Sequence, residues 1–133
     1  KKLYYKIKSI NKNIKIFEGK YIPKNLNNLS KKKEYYMFCG IGNPNEFKNT
    51  LKKYKFNIKY KTIFPDHYKI SSDEIRKIKK FSLKKNLSII TTEKDYLRLD
   101  RSQRKNINYL KTNLKIKKIK EFKKILSSKL WKK

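Results

Sequence analysis

Glu34-Tyr35-Tyr36-Met37-Phe38-Cys39 runs without a break into Gly40-Ile41-Gly42-Asn43-Pro44. The first six residues are mostly apolar and do not alternate with polar ones, the pattern of a strand covered on both faces inside a parallel sheet. At Gly40 the run stops. Two glycines permit a tight turn, Asn43 has the side chain of a helix N-cap, and Pro44 suits the first helical position. Phe47, Leu51 and Tyr54 follow at spacings of four and three, so the helix presents one apolar stripe to the sheet. Strand, glycine turn and helix make half of a βαβ unit, with Glu34–Cys39 as the candidate central strand.

Downstream, Asn57 to Phe64 alternates enough to read as a second strand, ended by Pro65. Ser71 and Glu74 have the S-x-x-E spacing of a capping box, and they start a helix whose buried stripe is Ile75, Ile78 and Phe81. Leu87 to Ile90 is a short buried strand, broken by Thr91-Thr92-Glu93-Lys94-Asp95 and a helical turn through Leu99. Asn106 to Ile119 holds two weakly alternating runs. Glu121 to Trp131 reads as an amphipathic helix with Phe122, Ile125, Leu126 and Leu130 on one side. Upstream, Asn13 to Glu18 alternates like a strand, and Gly19, Pro23 and an Asn-rich stretch to Ser30 read as loop. The expected fold is α/β and Rossmann-like, a mostly parallel sheet flanked by helices, because right-handed crossovers return parallel strands to one sheet. Residues 1–30 form a linking strand and loop, and residues 31–133 form the α/β lobe.

Composition bounds what such a lobe can do. The 133 residues suit one domain, and Leu, Ile and Phe total 36 of them, about 27%. That lies above the roughly 20% below which a highly charged chain stays disordered. No window approaches the roughly 18 apolar residues that span a bilayer, and no signal-peptide apolar region follows the basic start. One cysteine, Cys39, excludes an internal disulfide and suits a reducing compartment; with one histidine it cannot build a zinc site of His and Cys ligands. The chain starts at Lys1 and its one methionine is Met37, so it reads as a fragment of something longer.

The charge is +29, from 39 Lys+Arg against 10 Asp+Glu. Such a balance ordinarily points to nucleic acid or an anionic membrane. Lys outnumbers Arg 35 to 4, however, Ala and Val are absent, and the lysines spread from Lys1 to Lys133. Dedicated nucleic-acid readers concentrate charge on one face and favour Arg. The pattern therefore argues against a specific nucleic-acid partner and leaves general attraction to acidic headgroups, at about 1 kcal/mol per basic residue near the surface.

In open α/β sheets ligands sit beyond the carboxyl ends of the strands, and three unusual loops fall at such ends: Gly40 to Pro44, Phe64 to Tyr68 and Thr91 to Asp95. Gly40, Gly42 and Asn43 either offer free amides to an anion or simply make a turn, and G-I-G-N-P matches no phosphate-loop pattern. His67 alone has an ordinary pKa near neutrality. It is either a proton-handling imidazole at the site mouth or a loop histidine bonded to nearby backbone. Asp66 precedes it but need not face it, since adjacent side chains usually diverge. In Thr92, Glu93, Lys94 and Asp95, capping of the next turn explains the hydroxyl and one acid; alternatively Lys94 contacts phosphate and the acids contact substrate. Cys39 is most simply a small buried apolar residue.

Taken together, F-C-G-I-G-N-P-N-E-F at 38–47, F-P-D-H-Y at 64–68 and T-T-E-K-D-Y-L-R-L at 91–99 resemble the C-terminal part of the tetraacyldisaccharide 4'-kinase (lipid A 4'-kinase) family, in the same order and with similar intervals. The resemblance implies the C-terminal lobe of a two-lobed P-loop kinase that transfers the γ-phosphoryl group of ATP to the 4'-hydroxyl of a tetraacyldisaccharide 1-phosphate. It implies ATP and Mg2+ held mainly by an N-terminal lobe that these residues do not include, so that the lobe alone is inactive. It further implies a lipid A precursor as partner, and peripheral residence on the anionic cytoplasmic face of the bacterial inner membrane. Carried over, the catalytic histidine of the D-H motif is His67, acting with an aspartate of the other lobe. Asp66, Gly40, Gly42, Asn43, Thr92, Glu93, Lys94 and Asp95 then bind substrate or shape the cleft. Two rival readings are a basic nucleic-acid-binding module and a nonenzymatic Rossmann-like binding domain.

Overall fold

The computed structural model describes residues 2–130. Its elements run α1 (Lys2–Ile10), β1 (Gly19–Pro23), β2 (Glu34–Cys39), α2 (Pro44–Lys53), β3 (Asn57–Ile63), α3 (Ser72–Lys84), β4 (Ser88–Thr92), α4 (Glu93–Arg98), α5 (Arg101–Arg104), β5 (Ile107–Leu110), β6 (Thr112–Ile116) and α6 (Ile119–Leu130). Two compact units result: residues 23–112, and the stretches that flank them in sequence. The sequence reading drew a single boundary between residues 30 and 31; the units divide instead after Ile22 and after Thr112.

In the larger unit four strands lie in the order β3-β2-β4-β5, and every pairing is parallel. This is the α/β sheet that the unalternating run at Glu34–Cys39 implies, with β2 inside it. Tyr35, Met37 and Cys39 join Phe47 and Leu51 of α2 in one core cluster. Phe38 joins Ile75 and Ile78 of α3 in the other. Successive side chains of a strand point to opposite faces, so a strand with helices on both sides must be apolar at nearly every position. Phe81 departs from expectation: it is partly exposed, while the next residue, Ser82, is buried. Its ring instead lies edge-on to Tyr60 of the edge strand β3 at 4.9 Å and to Tyr36 of β2 at 5.7 Å.

Both long helices of this unit end without glycine. After α2, Lys55 adopts φ 63°, its N–H donates to Lys52 O at 2.9 Å, and Phe56 N–H donates to Leu51 O at 3.0 Å. After α3, Asn86 adopts φ 53° and Leu87 N–H donates to Ser82 O at 2.8 Å. These are Schellman closures, which satisfy the last helical carbonyls and turn the chain into β3 and β4.

The smaller unit holds α1, α6 and a two-stranded ribbon of β1 with β6. The strand expected at Asn13–Glu18 is irregular backbone, and the ladder instead takes Gly19–Pro23. Alternation alone does not make a strand; a partner must accept the ladder bonds, and β6 meets the later segment. Phe17 packs edge-on against Phe122 at 5.2 Å. The terminal helix begins at Ile119, two residues earlier than expected, and Trp131, placed on it by the sequence reading, lies outside the described residues. Helix α1 carries little sequence signal, because Leu3 and Ile7 are separated only by lysine and tyrosine and none of its residues is buried.

Candidate functional site

Because β2, β3 and β4 are neighbours and parallel, their carboxyl ends deliver the three loops to one edge of the sheet. Cys39 O accepts the Phe64 N–H at 2.8 Å, which extends the β2–β3 pairing into the loops. Gly40 then passes so close to the second loop that a Cβ would stand 3.3 Å from Pro65 O and 3.6 Å from Asp95 Oδ1. A Cβ on Gly42 would stand 3.0 Å from Asp66 Oδ2. No glycine has positive φ, so these residues are required for close approach rather than for backbone freedom. That corrects the reason first assigned to the turn.

The third segment, expected as a loop, is instead the end of β4 running directly into α4, because Thr92 caps that helix, and Asp95 is the buried residue of its first turn, 2% exposed. Its Oδ2 accepts the Gly40 N–H at 3.1 Å and the Thr92 hydroxyl at 2.7 Å, while Thr92 Oγ1 accepts the Asp95 N–H at 3.1 Å. Thr92 therefore caps α4, and Asp95 ties the first turn of α4 to the turn after β2. Burial, reinforced by the Asp95 carboxylate, pushes the Cys39 thiol up to about 11, so Cys39 is an unreactive thiol of the core. Asn43 is a working N-cap, its Oδ1 accepting from Glu46 N–H at 3.1 Å. Glu93 opens α4, where the helix dipole favours an acid, and pairs with Lys111 at 3.6 Å.

The second loop is a turn closed by Tyr68 N–H donating to Pro65 O at 3.2 Å, with His67 at φ 62°. Asp66 Oδ1 accepts the His67 N–H at 3.0 Å, and His67 Nε2 lies 3.8 Å from Asp66 Oδ2. The left-handed backbone of His67 folds these adjacent side chains toward each other, against the divergence expected of neighbours in extended chain. Lys94 Nζ reaches the same carboxylate at 3.8 Å. Asp66 therefore stands among the glycine turn, the histidine and the first turn of α4. The imidazole is 76% exposed at that rim.

Three contacts of this rim lie outside the residues marked in the sequence as site candidates. Arg98 Nη1 lies 3.8 Å from Asp95 Oδ1, Tyr68 donates its hydroxyl to Glu74 at 3.0 Å, and the Tyr68 ring stacks on Phe64 at 5.5 Å. The Asp95-to-Arg98 spacing of three within a helical turn was the readable signal for the first. Beside them, Tyr68, Lys69, Ile70, Asp95, Arg98 and Leu99 line a cleft of about 340 Å3. All nine residues marked in the sequence thus sit at three adjacent strand ends, four of them at the junction of β4 and α4; Asn43 and Thr92 serve as helix caps, while His67 and Lys94 face solvent.

A four-stranded parallel sheet with helices on both faces and its loops gathered at the carboxyl edge defines a Rossmann-like α/β lobe. The sequence profile of the family LpxK, tetraacyldisaccharide-1-P 4'-kinase, matches residues 4–131, and the chain belongs to that family. It is 44% identical over 110 residues to the tetraacyldisaccharide 4'-kinase of Pelagibacter ubique (strain HTCC1062), an alignment covering 83% of this chain and 35% of the relative. It is 42% identical over 87 residues to the enzyme of the same name from Rickettsia canadensis (strain McKiel), covering 63% of this chain and 26% of the relative. The chain thus spans about a third or less of these relatives' length. The fold matches a crystal structure of Aquifex aeolicus LpxK in complex with ATP, with TM-score 0.53 and 21% identity over 91% of this chain and 40% of that one.

Proposed function

We propose that this chain supplies the C-terminal α/β lobe of a lipid A 4'-kinase, which transfers the ATP γ-phosphoryl group to the 4'-hydroxyl of a tetraacyldisaccharide 1-phosphate. The observation that carries the reading is the exposed His67 ring at the point where three loops of one family pattern meet. Phosphoryl transfer depends mainly on positioning and charge stabilisation. A turn that projects one imidazole from a rigid sheet edge provides positioning: its ring can orient the acceptor hydroxyl, or take its proton, together with a carboxylate from the rest of the protein.

No G-x-x-x-x-G-K-[ST] stretch occurs in the sequence, and the described residues contain no group of three His, Cys, Asp or Glu able to hold a metal ion. On this reading, as the family resemblance implies, ATP and Mg2+ are held mainly by the remainder of the full-length kinase, where they would supply the phosphoryl group and neutralise its charge. No described helix is long and apolar enough to cross a membrane. Peripheral residence on the cytoplasmic face of the inner membrane is what the family resemblance implies, and the widely spread lysines support it by attracting acidic headgroups without a specific site.

The test is His67→Asn in the full-length protein, since Asn tolerates the left-handed backbone and removes the imidazole alone. The expected result is a fall in kcat of roughly 10²-fold or more. Unchanged turnover would remove His67 from the reaction, and a full-length wild type that does not phosphorylate the tetraacyldisaccharide would remove the function.

A further inference from the structure

A larger concavity lies at the opposite end of the sheet from the three loops. Leu87 and Ser88 at the start of β4, and Asn106 and Ile107 at the start of β5, form part of a cleft of about 850 Å3. That volume falls within the range of small-molecule sites. Lys33, Arg101, Arg104 and Lys105 line it, and no carboxylate does. Positive charge in a concave, low-dielectric wall focuses its field in a way that lysines scattered over convex surface do not.

The arginines single this cleft out, because only four occur in the chain against 35 lysines. Three have defined work in the fold. Arg76 pairs with Asp73 at 2.8 Å, and Arg98 approaches Asp95 at 3.8 Å. Arg104 donates to Tyr96 O at 3.1 Å, Leu99 O at 2.9 Å and Leu97 O at 2.7 Å, and so closes the end of α4. Arg101 is exposed and lines the cleft with no hydrogen bond or ion pair among the described residues. A guanidinium differs from an ammonium in its planar fork, which binds two oxygens of one phosphate together.

We propose that this cleft is a second binding site, for a phosphate-bearing anion held by Arg101 with Lys105 and Lys33 beside it. It is independent of the kinase reading, since it uses none of the residues at the carboxyl edge. The ligand chemistry is a phosphomonoester or pyrophosphate, whether free in solution or carried on a lipid headgroup.

Inorganic pyrophosphate titrated into the chain at physiological salt, followed by amide NMR shifts, tests the site. One saturable equivalent is expected, with shifts confined to residues 33, 87–88 and 101–108. Arg101→Gln should weaken it at least tenfold and Arg101→Lys measurably, whereas the double variant Lys123→Gln/Lys124→Gln on α6 should leave it unchanged. Several equivalents with shifts spread over the lysine surface, or equal losses in Arg101→Gln and the α6 variant, would overturn the proposal. Vesicles containing phosphatidylglycerol separate the sources. Vesicle binding that pyrophosphate displaces, and that Arg101→Gln weakens, assigns the site to a headgroup phosphate. Vesicle binding indifferent to both, alongside saturable pyrophosphate binding, assigns it to a soluble one.

Discussion

The carboxylate of Asp95 holds the backbone amide of Gly40: Oδ2 accepts that N–H at 3.1 Å and, through the same oxygen, the Thr92 hydroxyl at 2.7 Å. Two segments separated by 55 residues are joined inside the protein by one side chain. Removing it strands a buried donor on each segment, and bonds to charged acceptors contribute about 1.5–3 kcal/mol each. Asp95→Ala is therefore expected to lower unfolding stability by about 2–4 kcal/mol. Asp95→Asn, which keeps an acceptor without the charge, should lose about half as much. Urea midpoints at constant slope measure both, and an Ala variant within error of wild type would show that the tie contributes nothing.

The two glycines should respond differently to alanine. At Gly40 the new methyl meets Pro65 O, which is backbone and cannot move aside, so Gly40→Ala should cost about 1–3 kcal/mol, the usual range for overpacking. At Gly42 it meets Asp66 Oδ2, the end of a side chain 41% exposed to solvent. Gly42→Ala should leave the melting temperature nearly unchanged while displacing Asp66 from His67 and Lys94. Amide shifts of residues 66–68 would register that movement, and equal destabilisation by both variants would contradict it.

Lys55 ends α2 at φ 63°, a conformation in which a side chain is disfavoured and glycine is not. Lys55→Gly is expected to raise stability by roughly 0.5–1 kcal/mol, because losing the Cβ relieves the strain of the left-handed state by more than the extra backbone entropy glycine gives up on folding. The melting temperature of the variant checks this. A decrease would mean that the greater freedom of glycine in the unfolded chain outweighs the strain relieved.

Glu74 closes the capping box of α3, and the Ser71 N–H and hydroxyl hold its carboxyl below the ordinary 4.5, aided by the Tyr68 hydroxyl. A carboxylate lowered in the folded state adds stability that is present above its unfolded pKa and is lost as pH falls through the folded one. Wild type should therefore exceed Glu74→Gln in melting temperature by a constant margin near neutrality. The margin should shrink below about pH 4.5 as the carboxyl protonates. A margin unchanged down to pH 2.5 would exclude the linkage.

Local patterns carried most of this protein's architecture. The unbroken apolar run at Glu34–Cys39, the Asn43 and Ser71 caps and the spacing of Phe47 with Leu51 all act over a few residues, so helices, strands and the parallel sheet were legible directly. The family pattern in the three loops was legible for the same reason, as was their delivery to one edge once the strands were parallel. What only the tertiary structure decided is which side chains meet there. The burial of Asp95 against Gly40, the closeness of Asp66 to His67, and the reason for both glycines depend on contacts between segments far apart in the chain and on one left-handed residue. Neither residue type nor spacing encodes such distances, because they arise from how packed strands bring their ends together.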